Sequence, residues 1–91
     1  MDFAIEHDTA AQRFHTLVDG FRCVLDYRLE GQRMAIVHTG VPGEVGGRGI
    51  AAQLTAAAVA AARANGWKVA PLCSYAQVWF ERHPEEADLL G

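Results

Sequence analysis

Ninety-one residues, 51% of them apolar, read as one small domain (1–91) whose core needs no metal or disulfide staple. A formal net charge of −3 with scattered Lys and Arg argues against nucleic-acid binding, and no apolar run reaches the roughly 18 residues of a membrane span. The N-terminus lacks a basic-then-apolar signal pattern and Cys23 and Cys73 form no CxxC pair, so reduced thiols and a cytoplasmic location are expected.

In chain order, residues 1–10 are mostly polar and are expected to be an extended lead-in or a frayed terminus. Residues 12–18 alternate, with Phe14, Thr16 and Val18 on one side, and predict a strand. Asp19-Gly20 is a hairpin signal. Residues 21–29 predict the second strand, with Cys23, Leu25, Tyr27 and Leu29 on one face, which makes Cys23 a structural thiol. Glu30-Gly31-Gln32 turns the chain into a third strand over 33–39, completing an antiparallel meander.

A bend containing proline and glycine (39–45) and a glycine cluster, Gly46-Gly47-Arg48-Gly49, lead into an alanine-rich helix over 47–65. Its expected buried stripe is Ile50, Leu54, Ala57, Ala58 and Ala61, and Asn65-Gly66 is its stop. Residues 67–72 predict a strand that a helical crossover lays parallel to residues 34–38. A second short helix over 75–82 ends before Pro84, and 85–90 form a final turn. The predicted fold class is α+β, a mixed sheet in the order β-β-β-α-β-α.

A strand that feeds a glycine-rich turn and a helix start is an anion site in waiting. The first amides of a helix have no intrahelical partner, the macrodipole adds partial positive charge, and glycine lets backbone approach a phosphate. A Walker-type loop is excluded because Ile50-Ala51 stands where Lys and Ser/Thr are required. The dinucleotide spacing G-x-G-x-x-A is met by Gly47, Gly49 and Ala52, but the strand that follows carries no acidic residue for a ribose.

The same segment resembles the GCN5-related N-acetyltransferases. Their pyrophosphate loop, Arg/Gln-x-x-Gly-x-Gly/Ala, is matched by Gly49 and Ala51 within Gly46-Gly47-Arg48-Gly49-Ile50-Ala51, with Gly46 in place of Arg or Gln. Together with His38-Thr39, Val41-Pro42, Pro71-Leu72-Cys73 and Glu81-Arg82-His83-Pro84-Glu85, the loop is similar to the small YjdJ-type branch, over about residues 12–90. The resemblance implies a minimal acetyltransferase-like fold and acetyl-CoA or another acyl-CoA as co-substrate, with no metal. Thr39 and Val41 would hold the pantetheine, residues 46–51 the pyrophosphate, and Arg82 and His83 would flank the cofactor channel.

Candidate catalytic residues follow from that placement. Cys73 would lie near the thioester, as an acyl-accepting nucleophile or as a small lining residue. His38, on the neighbouring strand end, would be a base for it, or a ring satisfied by a backbone carbonyl. Tyr75 would donate a proton to the leaving sulfur or pack on the core. Arg82 and His83 would meet phosphate or form a solvated helix end. His7 and His15 have no partner at metal-ligand spacing. The implied reaction is acyl transfer from acyl-CoA to an amine, with a protein or peptide among the candidate acceptors, and the alternative is a non-catalytic acyl-CoA-binding module. The expected partners include no nucleic acid and no membrane, and the expected state is a monomer or weak homodimer.

Overall fold

The computed structural model describes residues 3–91, which run as β1 (Glu6–Asp8), β2 (Arg13–Val18), β3 (Phe21–Glu30), β4 (Arg33–Gly40), α1 (Ile50–Asn65), β5 (Lys68–Pro71) and α2 (Ser74–Arg82). Two 3-10 turns, Gly43–Val45 and Pro84–Leu89, complete them. The sheet order is β1-β2-β3-β4-β5, antiparallel through β4 and parallel between β4 and β5. The meander and the crossover are as the sequence predicts.

Period-two alternation sets the inner face. Phe14, Thr16 and Val18 of β2 and Cys23, Leu25 and Tyr27 of β3 are all buried there. Asp19 (φ 51°) and Gly20 (φ 82°) are both left-handed, the geometry of a type I′ hairpin turn, which matches the twist of the strands it joins. Met34 and Ile36 of β4 and Val69 of β5 continue the face, and α1 closes it with Ile50, Leu54, Thr55, Ala58, Val59 and Ala62. Ala57 and Ala61, expected at the stripe's centre, sit half-buried at its margin. Alanines on every side of the helix gave its azimuth little signal. Thr55 is fully buried and is satisfied by donating its hydroxyl to Ala51 O at 2.8 Å.

Several boundaries differ from expectation. The N-terminal segment includes β1, with Glu6, His7 and Asp8 opposite His15, Phe14 and Arg13; residues 1–2 of the predicted lead-in lie outside the described residues. The His7 ring stacks on Phe14 (centroids 4.0 Å apart) and its Nε2 lies 2.7 Å from the Tyr27 hydroxyl, so tertiary contacts hold a strand too short and polar to announce itself. Helix α1 begins at Ile50 rather than 47, because Gly47 and Gly49 both adopt φ +77°, outside the helical region. It ends as predicted: Gly66 is left-handed, Trp67 N–H donates to Ala62 O (2.8 Å) and Gly66 N–H to Arg63 O (3.3 Å), a Schellman closure. That closure takes Trp67 out of β5, and Leu72 falls beyond the strand's other end.

Helix α2 starts one residue earlier than expected, at Ser74, and contributes Ala76, Trp79 and Phe80 to the core. The C-terminal turn is anchored by Arg63, which donates to Glu86 (2.7 Å) and Asp88 (3.0 Å), while Leu90 bridges Val69 in parallel. No helix among the described residues is long and apolar enough to cross a membrane.

Candidate functional site

The parallel pair β4–β5 is short, and its ending creates the site. The last paired residues are Ile36 and Pro71. Ile36 O then accepts from both Leu72 N–H (3.0 Å) and Cys73 N–H (3.1 Å), after which the chain turns into α2. Strand β4 runs on to Gly40 without β5, so its outer edge beyond Ile36 has no strand partner among the described residues. Unpaired strand backbone of this kind offers N–H and C=O groups to an extended ligand.

Beyond β4 the 3-10 turn buries Val45, which anchors the loop while the glycines after it stay exposed. At Gly47 and Gly49 an added Cβ would meet nothing within 4 Å, so backbone conformation, not crowding, demands glycine there. Gly49 caps α1 with no side chain, and the first amide to find a partner is that of Gln53, donating to Gly49 O at 3.1 Å. The amides of residues 47–52 donate no hydrogen bond among the described residues. They sit at the positive end of a 16-residue helix, beside a cleft of about 250 Å³ lined by Val41, Gly46, Gly47, Gly49, Ile50, Ala51, Ala52 and Tyr75. The Ile50 side chain is buried, so at this position backbone faces the cleft.

Tyr75 lines this cleft, and Cys73 and Thr39 meet each other at the end of the strand gap. Cys73 is the N-cap of α2, its Sγ accepting from Ala76 N–H at 3.4 Å and lying 3.5 Å from Thr39 Oγ1 across the gap between the strands. Tyr75 is half-buried, and burial pushes its phenol up while Arg82, two turns along α2, pulls it partly back. The hydroxyl therefore stays protonated at neutral pH.

His38 is not brought to Cys73. Asp26 pairs with His38 while Tyr27 pairs with Ile36, so Val37 is an extra residue, a β-bulge. The bulge resets the alternation: Thr39 faces inward opposite Leu25, and His38 faces outward opposite Asp26. Its ring lies across Gly40, where an added Cβ would come within 3.0 Å of Nε2. His83 is also engaged elsewhere, stacked on Trp79 (4.0 Å) with Nδ1 2.8 Å from Trp79 O. Arg48 leaves the loop to meet Asp19 at 2.6 Å.

Two residues of this region have no part in the acyl-CoA site expected from sequence, Ala52 entering only the dinucleotide spacing. Ala52 was readable as the last amide of the helix's first turn. Asp19 was seen only as a turn residue, because a contact across 29 positions leaves no local signal.

The model of the GCN5-related N-acetyl-transferase family matches residues 13–89. Among solved structures, the chain is similar to the solution NMR structure of a GCN5-like candidate N-acetyltransferase from Staphylococcus aureus. The two are 28% identical with a TM-score of 0.78, over 98% of this chain and 88% of that one. No curated protein matches the chain.

Proposed function

We propose a function from the premise that this chain belongs to the GCN5-related N-acetyltransferase family: it binds an acyl-CoA at the glycine loop and transfers the acyl group to an amine. The observation that carries this reading is the run of unsatisfied amides over residues 47–52 at the start of α1, beside a cleft that no side chain closes. Such amides favour a diphosphate over a neutral ligand. A volume of about 250 Å³ is below that of a typical enclosing pocket, so an extended ligand would be gripped at its phosphates and lie along the open β4 edge.

In this reading the amide edge beyond Ile36 aligns the pantetheine, and Thr39, Cys73 and Tyr75 surround the thioester. The acceptor must lose one proton to solvent before it attacks, since a free alkylamine has a pKa of about 10.4. Its nitrogen then bonds to the thioester carbonyl carbon, the carbon–sulfur bond breaks, and the departing sulfur takes the Tyr75 proton. The bonded nitrogen gives up its second proton as the amide forms, and water carries that proton back to Tyr75. Cys73 lines the site and holds α2 against β4, while His38, on the outer face, takes no part. Among the described residues no helix is inserted between β1 and β4 in the chain, which suits an open acceptor side and an acceptor carried on a protein or peptide.

The test is thiol release from acetyl-CoA in the presence and absence of amine-bearing peptides. Amine-dependent release supports transfer. Saturable CoA binding without release for any acceptor would support instead a non-catalytic acyl-CoA-binding module.

A further inference from the structure

Arg48 stands between Gly47 and Gly49, in the middle of the candidate phosphate loop, yet its guanidinium does not turn to the cleft. Its Nη1 donates to Asp19 Oδ2 at 2.6 Å, linking the loop to the β2–β3 hairpin turn. Both side chains are substantially exposed, 45% for Arg48 and 65% for Asp19. Asp19 also holds a left-handed backbone (φ 51°), a conformation that Asp and Asn tolerate better than other non-glycine residues. The pair thus joins two turns that the sequence separates, one of them the glycine loop that lines the cleft.

We propose that Asp19 is a built-in counter-ion for the phosphate loop. It occupies Arg48 in the ligand-free protein and is displaced by the incoming phosphate, so that it sets the affinity and salt sensitivity of the site. The proposal rests on the acyl-CoA reading above and adds to it a residue outside the loop. Asp19 could act in two opposed ways. By ordering the loop it would strengthen binding; by repelling phosphate and competing for Arg48 it would weaken it. The exposure of both partners decides between them. An exposed ion pair holds its members weakly, so little order is lost with it. A phosphate offers Arg48 a bidentate, more highly charged partner, so competition is the larger effect.

The experiment is isothermal titration of wild type, Asp19→Asn, Arg48→Gln and the double variant with CoA, at low salt and again at about 0.5 M salt. Asn keeps the left-handed turn and the size of the side chain while removing the charge, and the melting temperature of each ligand-free variant monitors the fold. The proposal expects Asp19→Asn to bind CoA about 3- to 5-fold more tightly at low salt. It also expects that gain to shrink at high salt and in the Arg48→Gln background. Unchanged or weaker binding by a folded Asp19→Asn overturns the counter-ion role and leaves the acyl-CoA reading standing. An equal gain with and without Arg48 also overturns it, since it would reduce Asp19 to a distant like charge. Failure of all four proteins to bind CoA overturns both.

Discussion

At the scale of single residues, the account turns on three side chains near the strand gap. The proposed function makes Tyr75 the proton donor, so Tyr75→Phe should lower the rate of acyl transfer by about 10²-fold or more while CoA affinity changes little. Loss of both together would make Tyr75 a binding residue only. Cys73 calls for a different substitution, because alanine would also delete the cap of α2 and cost about 0.5–2 kcal/mol. Cys73→Ser keeps a capping acceptor and is a far poorer nucleophile. Direct attack by the amine predicts that this variant keeps its melting temperature and loses less than about tenfold in rate. A hundredfold loss with intact CoA binding would route the acyl group through Cys73. His38→Ala should leave transfer unaffected, since the bulge at Val37 turns the ring to the opposite face. That bulge explains why sequence pattern could not place His38: strict alternation puts Thr39 where His38 is found, and one extra residue inverts every later assignment.

At the scale of elements, the glycine loop and the first strand make separable claims. Gly49 caps α1 at φ +77°, where an alanine meets no neighbour but strains its own backbone. Gly49→Ala should cost about 1–2 kcal/mol in urea unfolding and weaken CoA binding as the first-turn amides shift. Unchanged stability would mean that the loop readily adopts another conformation. The loop is legible because glycine, proline and alanine punctuate so strongly; the start of α1 is not, because a glycine gives no sign of which side of the Ramachandran map it occupies.

Strand β1 was hidden for the converse reason, its support lying in His7, Phe14 and Tyr27 rather than in its own three residues. Burial lowers the His7 pKa from its ordinary value near 6.5, more than Asp8 raises it. The unfolded chain therefore binds the proton more readily than the fold does. The contribution of neutral His7 is complete above the unfolded pKa and is lost as pH falls through the folded value. Melting temperature measured from pH 8 down to 5 should fall more for wild type than for His7→Gln. Parallel curves would remove His7 from the account. The effect should be modest, because His7 as a whole remains an exposed residue.

At the scale of the whole molecule, the sequence specified architecture better than it specified chemistry. The two hairpins, the crossover and the parallel fifth strand all follow from alternation, turn residues and chain direction, which are local or nearly so. The strand gap depends on where the β4–β5 ladder stops, the Asp19–Arg48 pair on a contact between distant turns, and the inward face of α1 on which alanines the sheet covers. None of these is written in any single window. A fold of 91 residues with one apolar cluster is also marginal, with a stability of roughly 0.05–0.15 kcal/mol per residue. Ligand binding should therefore register as a large fraction of the total.

The most direct test is a thermal-shift titration of the wild-type protein with CoA, acetyl-CoA and NAD. A ligand specific to the folded state at about 100 times its Kd adds about 2.7 kcal/mol, and each kcal/mol moves the midpoint of a domain this size by about 4–8 °C. The account predicts a rise of that order, ten degrees or more, with either CoA species and little with NAD. No shift with CoA or acetyl-CoA at millimolar concentration would contradict it.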